Sequence, residues 1–131
     1  MGRSLEKRNH KQEIAERKLA MLRMDRKMSQ HVRERDGNKC CHCGDASMRI
    51  DVHHIIGRRV YALRWDEKNL LCLCMICHAW AEERPVQFME WLCFAWSCDI
   101  DYLNSKRNEH FKISITNLLS KEIEIDKLCQ E

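Results

Sequence analysis

Cys40-Cys41-His42-Cys43-Gly44, Val52-His53-His54-Ile55, Arg64-Trp65-Asp66-Glu67-Lys68-Asn69 and Cys74-Met75-Ile76-Cys77-His78 are the phrases on which the reading of this chain turns. Each Cys-x-x-Cys bends two thiolates toward one point, and two such pairs make a closed tetrahedral site suited to structural zinc. Cys40, Cys43, Cys74 and Cys77 share that spacing, and Gly44 supplies the turn around a metal. Cys41, His42 and Cys72 fall outside the register. His42 reads as a surface residue and Cys72 as a buried free thiol. About 30 residues separate the two pairs, more than a plain zinc ribbon spans, and the excess carries His53, His54 and Asn69.

The flanking segments give these residues a local setting. Residues 49–56 are rich in β-branched side chains and read as a strand. Alternation along a strand sends His53 and His54 to opposite faces unless the strand ends or bends there, and Gly57 permits a change of direction. Residues 58–68 read as a loop carrying Arg58, Arg59 and Arg64, whose guanidinium forks fit phosphate oxygens. Trp65 reads as a packing residue. Residues 69–73 read as a second short strand, and residues 75–84 as a helix that Pro85 ends, with His78 in its first turn.

The order His-His, Asn, Cys-x-x-Cys-His resembles the HNH (ββα-metal) endonucleases. Met24-Asp25-Arg26, Ser29, Arg33-Glu34-Arg35-Asp36-Gly37 and the Arg64–Asn69 phrase extend the likeness to the phage NinG/Rap-type recombination nucleases, over roughly residues 22–96. The resemblance implies an α+β, mainly α fold, with a zinc-braced ββα-metal core, a long N-terminal helix and C-terminal helices. It implies that His54 is the general base, that His53 and His78 hold a catalytic divalent ion, and that Asn69 holds the loop and orients the base. Cys40, Cys43, Cys74 and Cys77 match the structural zinc ligands. Cleavage of DNA, duplex or branched, to a 3′-hydroxyl and a 5′-phosphate is implied as well. Mg²⁺, Mn²⁺ and Ni²⁺ are the candidate ions, and two imidazoles suit Mn²⁺ or Ni²⁺ better than Mg²⁺. The competing reading is a catalytically silent zinc module that binds DNA or a protein. A homodimer stays open, with the long N-terminal helix as its candidate element.

The rest of the chain fits a single domain over 1–131, divided into a basic helix (4–35), the zinc-braced core (38–84) and C-terminal helices (86–131). Ile14, Met21, Met24, Met28 and Val32 form an apolar stripe on the first helix, which Ser4 caps and Gly37 stops. Phe88, Trp91, Leu92 and Ala95 form a second stripe; Asp99 caps a short helix reaching about His110. Ile115, Leu118, Leu119, Ile125 and Leu128 mark a last helix. Residues 1–39 carry 12 Lys/Arg against 6 Asp/Glu, while the remainder carries 11 against 14. A basic arm on a near-neutral body suits a phosphate backbone. Nine cysteines without a signal peptide or long apolar run point to metal ligation in a reducing cytoplasm (that of a bacterial host, for a phage protein) and to no membrane span.

Overall fold

The computed structural model describes the backbone of residues 2–131 and the side chains of residues 9–131. The described residues are mainly helical, with one antiparallel two-stranded sheet. In order, it forms α1 (Gly2–Arg35), β1 (Ile50–His54), α2 (Tyr61–Arg64), a 3₁₀ turn (Glu67–Asn69), β2 (Leu70–Cys74), α3 (Met75–Glu83), α4 (Pro85–Phe94), α5 (Ile100–Lys106) and α6 (Ile115–Gln130). The chain divides into two compact units, residues 29–110 and residues 1–28 with 111–131. Among the described residues no helix is long and apolar enough to cross a membrane.

In the unit of residues 29–110, the last turns of α1 fasten the sheet. Gly37 (φ 72°) and Asn38 (φ 55°) turn the chain out of the helix. Arg33 donates to the Ile50 carbonyl at 2.7 Å and Arg35 to the Glu67 carbonyl at 2.7 Å. The Asp36 carboxylate accepts the Cys72 amide at 2.9 Å. These side chains occupy main-chain groups at the rim of a two-stranded sheet, where a bare edge would leave them unpaired. The Arg33–Asp36 phrase is therefore scaffolding for the hairpin.

β1 and β2 pair with Asp51 opposite Leu73, His53 opposite Leu71 and His54 opposite Leu70. Directly opposed residues share a face. Asp51, His53, Leu71 and Leu73 thus line one face, and Val52, His54, Leu70 and Cys72 the other. β2 is buried along its whole length, consistent with its unbroken apolar run Leu-Leu-Cys-Leu-Cys. α3 follows β2 without a linker, because the Cys74 sulfur caps it by accepting the Cys77 amide. Pro85 opens α4, where its missing N–H costs nothing. Leu71 and Leu73 of β2 join Ala81, Phe88, Leu92 and the buried cysteines in one core. Ala95, expected on the core-facing stripe, is exposed at the end of α4.

The stretch expected as a loop over 58–68 contains α2 and the 3₁₀ turn. Asp66 organises it, accepting the Lys68 amide at 3.0 Å and the Tyr102 hydroxyl from α5. Trp65 is 2% exposed, a packing residue as expected. Asp99 caps α5, which ends at Lys106 rather than near His110.

In the other unit, α6 is capped by Ser114 and tied to α1 by charge. Arg23 meets Glu122 at 3.0 Å, and Lys27 meets Glu122 at 2.9 Å and Asp126 at 2.7 Å. Ala20, Met24 and Met28 are buried on α1. Ile14, expected in this stripe, is 37% exposed, while Arg17 bonds the Ile113 carbonyl at 3.2 Å. On α6 the inward positions are Leu118, Glu122 and Ile125. Leu119, expected inside, lies off that face at 44% exposure, and a charged residue occupies the position between Leu118 and Ile125. The Ser4 cap falls among residues whose side chains lie outside the described set; α1 itself begins at Gly2.

Candidate functional site

Both Cys-x-x-Cys pairs meet at the junction of the sheet and α3. The ligand atoms of Cys40, Cys43, Cys74 and Cys77 lie within 4.8 Å of one another. Cys43 Sγ and Cys74 Sγ are 3.8 Å apart. A tetrahedron with metal–sulfur bonds of about 2.3 Å has edges of about 3.8 Å, so the cluster can hold a zinc-sized ion. The knuckle is closed by the Gly44 amide on the Cys40 carbonyl at 2.9 Å, with Gly44 at φ 79°. Any side chain there would be strained. Burial resists ionisation of Cys40, but the amides of Cys43, Cys74 and His42 outweigh it and bring its pKa down to about 7. Burial and the three neighbouring thiols push Cys77 up. Four thiolates this close ionise together only when a cation neutralises them.

A second cluster lies on the Asp51 face of the sheet. The rings of His53 and His78 are 4.8 Å apart, edge to face, and Phe88 packs on His53 at 5.2 Å. Burial, then the charges of His78 and His54, push the His53 pKa down to about 4, so its imidazole is neutral with a lone pair to offer. His78 follows Cys77, so the thiolate cluster sets its position at the start of α3. Its Nδ1 meets Asp51 at 2.9 Å and its Nε2 meets Glu82 at 3.2 Å. Arg49 steadies Asp51 from the other side at 2.9 Å. Asp51 and Glu82 escaped the sequence reading. Two simple signals mark them: Asp51 precedes His53 by two residues on one strand face, and Glu82 follows His78 by four on one helix face.

His54 ends β1 on the opposite face. Its Nε2 lies 3.1 Å from the Arg64 carbonyl oxygen. A carbonyl only accepts, so Nε2 carries the proton and Nδ1 the lone pair. The structure thus brings His53 and His78 together, while strand alternation sends His54 to the Arg64 side; its charge still reaches His53. Asn69 fixes this region. It is fully buried, accepts the Ile56 amide at 2.8 Å, and donates to the Ile56 carbonyl at 2.9 Å and the Leu63 carbonyl at 3.1 Å. The chain leaving His54 is thereby clamped to the segment that presents Arg64.

Arg58 and Arg59 lie exposed just beyond Gly57, and Arg64 sets its guanidinium 5.4 Å from the Trp65 ring centre. Cys72 is fully buried, its thiol pushed up to about 11 by burial and then by Asp36. His42 is exposed, as expected of a surface residue, and it also stacks on Trp80 at 4.4 Å and reaches Cys77 Sγ at 3.2 Å. No protein-family model, curated protein or solved structure matches the chain.

Proposed function

We propose that the chain is a metal-dependent DNA endonuclease of the HNH type. The observation that carries this reading is the half-buried His53 ring set 4.8 Å from His78, on a helix whose N-cap and first turn carry two of the clustered thiols. This reading assigns a catalytic divalent ion to His53 and His78, although among the described residues only the four thiols group three or more donor atoms closely enough to hold a metal. Asp51 occupies His78 Nδ1, which leaves Nε2 to the ion, and carboxylate partners of this kind orient histidine ligands. The 3.2 Å between that Nε2 and Glu82 is a ligand-to-ligand spacing for bonds of about 2.1 Å. His53, His78 and Glu82 would hold the ion, which when bound supplies charge to stabilise the phosphorane and the departing oxygen.

The protein's own part is proton transfer and positioning. His54 Nδ1 takes a proton from the attacking water, and the resulting imidazolium is stabilised by the Arg64 carbonyl on Nε2. The Asn69 clamp keeps that carbonyl in place. Arg58 and Arg59 supply contacts for phosphate oxygens.

The test is plasmid nicking with Mg²⁺, Mn²⁺ and Ni²⁺, followed by competition of a four-way junction against linear duplex. Activity with Mn²⁺ or Ni²⁺ should at least equal that with Mg²⁺. His54→Ala should lose about 10²–10⁴ in rate with DNA binding and zinc content unchanged. One observation favours a second reading, a catalytically silent zinc module. The two carboxylates around His78 also make a purely structural clasp between β1 and α3. In that case no divalent ion supports nicking.

A further inference from the structure

The four clustered thiols are not equivalent in their hydrogen bonds. The Cys43 amide points at Cys40 Sγ and the Cys77 amide at Cys74 Sγ, each at 3.4 Å. Cys77, which is only 7% exposed, takes its contact from a side chain, His42 Nδ1 at 3.2 Å. That imidazole is held from two directions. Trp80, three residues beyond Cys77 on α3, stacks on its face at 4.4 Å, and Trp91 of α4 meets it at 5.0 Å and 80°.

We propose that His42 belongs to the metal centre, donating its Nδ1–H to the metal-bound thiolate of Cys77 while Trp80 and Trp91 hold the ring in position. A divalent ion with four thiolates carries a net charge of −2, and each hydrogen bond to sulfur draws off part of it. Partners of this kind hold ligands in place, and their loss typically weakens metal binding about 10- to 100-fold. His42 is a positioning residue here, acting through Cys77 on the start of α3. The proposal stands whether or not the chain cuts DNA.

Two substitutions separate the donor from the ring. His42→Phe keeps an aromatic ring between Trp80 and Trp91 but has no N–H. His42→Asn loses the ring but sets an amide nitrogen the same number of bonds from Cα as Nδ1. Two measurements on the full chain read the result: zinc transfer to a colorimetric chelator, and the sulfur-to-metal charge-transfer band of the Co²⁺-substituted protein. Zinc transfer should be about 10-fold faster in His42→Phe, with the band moved to lower energy, while His42→Asn stays near the parent in both. A parent-like His42→Phe overturns the proposal, because the ring would then act by packing alone, and so does a His42→Asn altered as much as His42→Phe, because restoring an N–H at that position would then do nothing.

Discussion

Residues 29–110 and the helix pair of 1–28 with 111–131 bury polar groups in different ways. In the first, Asn69 aims at main chain of Ile56 and Leu63, Asp36 at Cys72 and Arg33 at Ile50, beside side-chain pairs such as His78 with Asp51 and Tyr102 with Asp66. In the second, the buried Glu122 meets other side chains, Arg23 and Lys27. The difference follows from what each must hold. Main-chain bonds fix irregular backbone, such as the loop and strand ends between β1 and β2. Side-chain charges fix only the facing of two helices already regular by themselves. The first kind should be costly to break and insensitive to mild acid, the second cheaper and pH-dependent.

The largest expected effect comes from the thiolate corner. Removing metal with a strong chelator, or replacing Cys74 with Ser, should collapse amide exchange protection through β1, β2 and α3. Apparent binding energies of structural zinc reach about 10–16 kcal/mol, comparable to the whole stability of a small domain. Amides of α6 should lose less, since Glu122, Leu118 and Ile125 owe nothing to the sulfur cluster. Hydrogen exchange read by mass spectrometry checks both halves. Equal loss in the two regions would erase the contrast drawn between them.

Asn69→Ala comes next. It orphans the Ile56 amide and two carbonyls in a fully buried place, each worth about 1–3 kcal/mol when left without a partner. Some will find water, so a loss of about 2–4 kcal/mol in denaturant titration is expected. The Ile56 amide should exchange early. A loss under about 1 kcal/mol would mean that the loop is held by something other than Asn69.

These two effects bear on what was legible in the sequence. Identical Cys-x-x-Cys spacing marked the thiolate cluster, since metal geometry constrains residues that are local within each pair. Asn69 and the two-strand hairpin were legible through the motif order and the β-branched run around His53. Three things were not. The Asp51–His78 and Glu82–His78 contacts depend on how α3 crosses the sheet, which no single segment specifies. The contacts of the exposed His42 were hidden because its partners, Trp80 and Trp91, stand on two later helices. The place of Glu122 was hidden because periodicity counts apolar residues, and the inward position on α6 is acidic. The divergence of His53 and His54 was foreseeable from strand alternation. What alternation alone did not supply was the Arg64 carbonyl that receives His54.

The smallest effect is expected in the helix pair, and it has a sign. The Arg23 hydrogen bond, opposed by burial and reinforced by Lys27, holds the Glu122 pKa at about 2, below its ordinary 4.5. A carboxylate depressed in the folded state contributes stability that is fully present above its unfolded value. That contribution disappears as pH falls from about 5 toward 2. Arg23 and Lys27 are partly exposed, so water screens the attraction and the contribution at neutral pH is about 1–2 kcal/mol. Glu122→Gln should lower neutral-pH stability by that amount and flatten the acid dependence of α6 unfolding between about pH 5 and 2. Followed by exchange of α6 amides across that range, an unchanged acid slope in Glu122→Gln would show that α6 is held by Leu118 and Ile125 alone. The charge pairing would then be incidental to the fold, and the contrast with residues 29–110 would rest on packing rather than on electrostatics.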